Sequence, residues 1–214
     1  MSPRRARAVA GRDDEDPATA LREHLIGTAE RLLTERQVSA ITTRDIARAA
    51  GVSDGVLYNY FADKHDLLLA ALLRRYASVA ERFVAAIPEP GTGSVEANLR
   101  AFAFAALDFH AELIPTVAGL VSEPTLMHRF LGAIHGEPLA PQNNQGRLTH
   151  YITAEQGLGR LPTHVDAVAA TTLLMGGALV LVVAGHVLPA DSRPVVAEQI
   201  PSMVDTLMRG LRAG

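Results

Sequence analysis

Hydrophobic positions recur at three- and four-residue steps along nearly the whole chain, and no run of strict alternation argues for a strand. Leu21, Leu25, Ala29 and Leu32 share one face of a helix expected over residues 18–37. Leu68, Leu72, Tyr76, Val79 and Phe83 mark a second long helix, which Asp63 would cap and which reaches about residue 86. Val95, Leu99, Phe102, Ala106, Phe109 and Leu113 step by four, three, four, three and four, the spacing of one amphipathic helix. Leu126, Met127, Phe130, Leu131 and Ile134 are expected to face inward from a shorter one. Proline and glycine supply the punctuation. Pro88, Pro90, Gly91 and Gly93 mark a loop, and Pro115 and Pro124 are expected to divide the apolar stretch around them into shorter helices. Residues 135–146 read as a surface loop, residues 148–156 as a helix, and residues 195–211 as a last helix that Pro201 kinks or restarts.

The helix starts carry their own chemistry. Thr42 and Asp45 stand three apart, so each side chain can satisfy a backbone N–H left free at the start of a short helix. That helix reaches Ala50 and stops at Gly51, which accepts the left-handed conformation of a sharp turn. Ser53 is placed to cap the next helix, which includes Val56, Leu57 and Tyr60. Thr163 and Asp166 repeat the capping-box spacing before an uncharged segment over residues 167–185. That segment approaches the roughly 20 residues a membrane span takes. Thr171, Thr172, the Gly176–Gly177 pair and the lack of a flanking Lys/Arg cluster favour a helix buried at a protein interface, and no membrane is expected.

Composition narrows the class. With 48% hydrophobic and 20% charged residues in 214, the chain is an ordinary globular one, and 5% aromatics imply cores of Ala, Leu and Val. The absence of Cys excludes disulfides and thiolate metal sites and fits a cytoplasmic setting. A net charge of −3 does not announce a nucleic-acid partner. Arg4, Arg5, Arg7 and Arg12 precede Asp13, Asp14, Glu15 and Asp16, which reads as a solvated tail or as a basic arm that follows a phosphate backbone. No apolar stretch follows those arginines, so no signal peptide is expected. The eight His residues are scattered, His128 and His135 sharing a face without a carboxylate at ligand spacing. No phosphate loop, nucleophile elbow or catalytic carboxylate pair stands out. The expectation is no metal, no cofactor and no catalysis.

Residues 42–68 (TTRDIARAAGVSDGVLYNYFADKHDLL) carry the functional signal. Ala47 falls where two crossing helices touch, Gly51 in the turn, and Leu57 where the second helix packs back on the first, the stereochemical pattern of a helix-turn-helix. Val52-Ser53, Gly55, Leu57-Tyr58, Phe61 and Lys64, with Thr42, Asp45-Ile46-Ala47 and Ala50-Gly51 upstream, resemble the reading head of the tetracycline-repressor (TetR) family. Beyond that stretch the likeness is one of length and helical texture.

The resemblance implies an all-α protein with an N-terminal three-helix DNA-binding domain over residues 18–66, preceded by an arm over 1–17. A helical ligand-binding and dimerisation domain would follow over 67–214. It implies phosphate contacts from Thr42, Arg44, Tyr58 and the chain's only lysine, Lys64, DNA contacts from Thr43 and Ser53, and base reading by Gly55, Val56, Asn59 and Tyr60, with Asn59 able to donate to a phosphate or an adenine edge. Val56 stands where the family often has a hydroxyl residue, and Asp54 puts a negative charge beside the groove. Over residues 18–70 six cations (Arg22, Arg31, Arg36, Arg44, Arg48, Lys64) face seven acids (Glu23, Glu30, Glu35, Asp45, Asp54, Asp63, Asp66), so affinity must come from a few well-placed groups. Phe102, Phe109, His110, Met127, Phe130, Tyr151 and Met175 are candidates to line an effector cavity. The last two helices are expected to form a homodimer, with Leu174, Val180, Val183 and Val187 supplying apolar area and Gly176, Gly177, Ala178 and Ala184 permitting close approach. The expected function is a ligand-responsive regulator, a repressor by analogy, binding a palindromic double-stranded operator. A small-molecule-binding protein or enzyme of the same fold without operator binding is the alternative.

Overall fold

The computed structural model describes residues 16–135 and 141–212. The arginines and acids before Asp16 lie outside them. Among the described residues every regular element is helical: α1 (Pro17–Glu35), a 3-10 turn (Val38–Ala40), α2 (Thr43–Ala50), α3 (Asp54–Leu57), α4 (Lys64–Ala85), α5 (Val95–Leu120), α6 (Pro124–Ile134), α7 (Pro141–Gly157), α8 (Ala167–Val187), a second 3-10 turn (Ala190–Ser192) and α9 (Val196–Arg212). The all-α reading holds.

Two compact units divide these elements. The first takes in the described residues of Met1–Tyr76 together with Thr116–Ala133. Its core gathers Leu25, Ala29 and Leu32 from α1, Ile46 and Ala47 from α2, and Leu57, Phe61 and Leu68 beyond, all buried. α2 starts where the Thr42–Asp45 capping box forms as expected, and it ends at Gly51 with φ 72°. A Cβ on Gly51 would meet nothing within 4 Å, so the left-handed backbone and not crowding calls for glycine there. Arg74 clamps α4 onto α1 through Glu30 (2.7 Å) and Glu23 (3.3 Å). α6 joins this unit: Tyr76 meets Phe130 edge-on at 6.1 Å, and Arg129 donates to Asp66 at 3.1 Å.

The second unit comprises Ala77–Pro115 and Ile134–Gly214. The six-residue stripe predicted for α5 is buried at every position. Phe83 of α4 packs against Phe102 (5.2 Å) and Phe109 (5.1 Å). A buried carboxylate, Glu155 on α7, accepts from the Gly91 N–H at 3.1 Å and pairs with Arg160 Nε at 3.3 Å. Arg160 donates in turn to the Gly93 carbonyl, so the loop before α5 is fastened to the end of α7.

Several expectations are corrected. Pro115 lies inside α5 instead of ending it. Its ring is exposed and its missing N–H forfeits one helical bond, which the helix's long buried face offsets. The expected loop over 135–146 is helical from Pro141, where proline suits a helix's first position; residues 136–140 lie outside the described set. Asp166 caps α8 itself, accepting from Val168 and Ala169, so Thr163 takes no capping part. Leu131 is half exposed. Leu174 is buried inside its own unit, whereas Val180, Val183 and Val187 are open to solvent. α5 as well as α8 is long and apolar enough to cross a membrane by length and composition. In α5 the apolar stripe is spent on the core.

Candidate nucleic-acid interface

The segment from Thr42 to Lys64 builds one exposed surface from three helix starts. Thr42 N–H donates to Asp45 Oδ2 at 3.0 Å, and Asp45 N–H donates to Thr42 Oγ1 at 3.1 Å. The Thr42 hydroxyl, then its N–H, hold the Asp45 carboxyl below the usual carboxylate range. Thr42 is therefore committed to the cap, and Thr43 and Arg44 project from the first turn of α2.

α3 is a single turn, Asp54–Leu57. Asn59 and Tyr60 fall after its end, their N–H groups bonding back to Val56 and Leu57 at 3.2 and 3.0 Å. Ser53 has the extended backbone of a capping residue but its side chain makes no cap bond. Ser53, Asp54 and Gly55 are exposed, so water reaches the free N–H groups of that turn. Gly55 has no positive φ, and a Cβ added there would meet nothing within 4 Å. Nothing inside the protein requires glycine at that position.

Tyr58 projects from the turn after α3 with 59% of its surface exposed, while Leu57 and Phe61 beside it are buried. Thr43, Tyr58 and Lys64 line a shallow notch of about 10 Å³, with Asp63 on its rim. Asp63 caps α4 through the Asp66 N–H at 2.7 Å. Arg44 Nε lies 3.8 Å from Asp54 Oδ2. Val56 is half-buried and Asn59 exposed. None of the ten residues expected at a DNA surface is buried, whereas Ile46, Leu57 and Phe61 among them in sequence are.

The seven candidate effector residues do not gather in the same way. Met127 and Phe130 belong to the first unit, and Phe102, Phe109, His110, Tyr151 and Met175 to the second. Phe102, Phe130 and Tyr151 are almost wholly buried. The Tyr151 hydroxyl accepts from Asn98 at 3.0 Å and bonds Glu155, and burial pushes its pKa up to about 12. His110 lies edge-on to Phe109 at 5.5 Å. Its Nε2 is buried without a hydrogen-bond partner among the described residues, and burial lowers its pKa. A cavity of about 280 Å³ between α4 and α5 is lined by Phe83 and Phe109 with Arg82 and Glu112 at its edge. The Glu155 carboxylate went unread in the sequence: its partner Gly91 is 64 residues away, and no local pattern links them.

Among the described residues the fold is all-helical with a helix-turn-helix head, and that is the class it defines. Residues 25–71 match the family model described as bacterial regulatory proteins, tetR family. The chain is 39% identical over 56 residues to the HTH-type transcriptional regulator AcrR of Shigella flexneri, covering 26% of each chain. It is 30% identical over 81 residues to the HTH-type transcriptional repressor NemR of Escherichia coli (strain K12), covering 38% of this chain and 40% of that one. The matches therefore span between a quarter and two-fifths of these relatives' own length. A TetR-family regulator structure from Mesorhizobium loti superposes with a TM-score of 0.71 over 92% of this chain and 98% of its own, at 14% identity, and so shares the fold. Residues 25–71 are thus similar to the N-terminal head of tetR-family regulators, the likeness their sequence suggested.

Proposed function

We propose that this chain is a transcription regulator that binds a palindromic operator as a homodimer in the cytoplasm and is released from it by a small, largely apolar molecule. The observation that carries the reading is the exposed phenol of Tyr58 beside Lys64, in a segment that matches the tetR-family model. A phenol hydroxyl and a lysine at the N-terminal turn of α4 suit a phosphate, which the helix's own N–H groups also favour. Gly55 adds a second argument. It weakens a one-turn helix without an internal reason, as expected where an outside surface must come close. The likeness to a transcriptional repressor supports repression.

α8 and α9 supply the dimer face in this reading. Val168, Leu173, Val180 and Val187 of α8 are each more than half exposed. Leu173 and Val180 border an open groove of about 630 Å³ with Gly177, Met203 and Leu207. A second copy covering that apolar area removes it from water. Residues 18–66 then form the reading head and 67–214 the sensing and pairing part. Within the second unit, the Phe83–Phe102–Phe109 cluster with the free His110 Nε2 supports an apolar effector that accepts or donates one hydrogen bond.

The test is binding of the full chain to the duplex upstream of its own coding region. Binding is expected to weaken steeply between about 50 and 200 mM salt. Tyr58→Ala with Lys64→Ala should abolish it while leaving a folded dimer. Failure of the wild type to bind, or equal binding by the variant, contradicts the reading and favours a small-molecule-binding protein of this fold.

A further inference from the structure

We propose that Asp54 is a specificity-determining residue of the DNA-reading head: its carboxylate holds the Arg44 guanidinium and so weakens attachment to DNA of arbitrary sequence. The inference rests on the DNA-binding reading above. Arg44, in the first turn of α2, has a side chain 78% exposed, and Asp54, the first residue of α3, one 50% exposed. Their Nε–Oδ2 separation is 3.8 Å across the turn between the two helices. Neither side chain packs in a core, and an exposed pair of this kind contributes little to stability. Its consequence is electrostatic.

Cations are scarce in this head. Arg22 pairs with Glu23 and Arg36 with Asp45. Among the described residues Arg31, Arg48 and Lys64 have no carboxylate within 4 Å. The remaining guanidinium N–H groups of Arg44 are open to a phosphate, but a phosphate that takes them comes close to the Asp54 carboxylate and is repelled by it. Backbone phosphates are the same in every sequence, so the penalty falls on all binding alike. It is recovered only where Asp54 finds a donor. A carboxylate accepts and does not donate, so cytosine N4 or adenine N6 amino groups satisfy it, and guanine O6 or thymine O4 edges do not. The pair thus lowers arbitrary binding more than operator binding.

The experiment uses the full-length protein and a fluorescent random-sequence duplex of about 25 base pairs, long enough for two half-sites. Anisotropy is read over a salt series for the wild type, Asp54→Asn, Arg44→Ala, the double variant and Asp54→Glu. Asp54→Asn should bind about three- to tenfold tighter, with the log–log salt slope steeper by about 1 to 2 for a dimer that gains one phosphate contact per subunit. The gain should vanish in the Arg44→Ala background, and Asp54→Glu should stay near wild type. A merely structural role for Asp54 predicts the opposite sign, because a damaged head binds more weakly. Unchanged or weaker binding by Asp54→Asn, or a gain that survives without Arg44, overturns the proposal while leaving DNA binding intact. If the wild type and every variant ignore the duplex at the lowest salt, the DNA-binding reading itself falls.

Discussion

Thr42 and Asp45 close the start of α2 on each other, the threonine N–H reaching the carboxylate at 3.0 Å and the aspartate N–H reaching the hydroxyl at 3.1 Å. This reciprocal cap orients the turn from which Thr43 and Arg44 project. Thr42→Ala should lower stability by about 1 kcal/mol, read by denaturant melts. The Asp45 carboxyl is held low in the folded state, so its contribution is present above the unfolded carboxylate value and fades as pH falls through the folded one. The wild type should lose more stability than Asp45→Asn on acidification below about pH 4.

Gly55→Ala separates folding from function. Open space surrounds the added methyl and φ is not positive, so the head should gain about 0.5–1 kcal/mol in a melt. DNA affinity should nevertheless fall, because the methyl enters the groove side of α3. A gain in both would remove the argument that this glycine serves a partner.

Glu155 is wholly buried, with Gly91, Arg160 and the Tyr151 hydroxyl as its partners. Glu155→Ala leaves the Arg160 guanidinium without its carboxylate and the Gly91 N–H without its acceptor. The expected loss is about 2–4 kcal/mol, read by urea unfolding. Hydrogen exchange should rise first at residues 91–93, since the loop loses its fastening.

The same contrast shows how much was legible. The head could be read because its contacts are local: a cap three residues long, a turn glycine, and apolar positions a helical step apart. The α5 stripe was legible for the same reason, and all six of its positions are buried. Pro115 misled because a single lost N–H does not stop a helix whose buried face runs past it. The Glu155–Gly91, Arg74–Glu30 and Arg129–Asp66 contacts were invisible because their members lie 64, 44 and 63 residues apart. Leu174 and Val180 belong to one uncharged helix, and only the packing of α8 against α7 and α9 tells its inner face from its open one.

His110 gives a pH signature. Burial lowers its pKa, so the neutral ring is favoured on folding. The unfolded chain then binds the proton more readily, and the stability this group contributes is full above about pH 6.5 and lost as pH falls toward the folded value. The melting temperature of His110→Gln should depend less on pH between about 7 and 5 than that of the wild type. Parallel curves would contradict the shift.

Selection of bound fragments from a random duplex pool by the full-length protein, run beside the Tyr58→Ala/Lys64→Ala variant, tests the central claim most directly. The account predicts that the wild type enriches an inverted repeat with half-site centres about 10 base pairs apart, or a multiple of that, and that the variant enriches nothing. A pool no different from the variant's would show that the exposed face of Tyr58 and Lys64 does not read DNA.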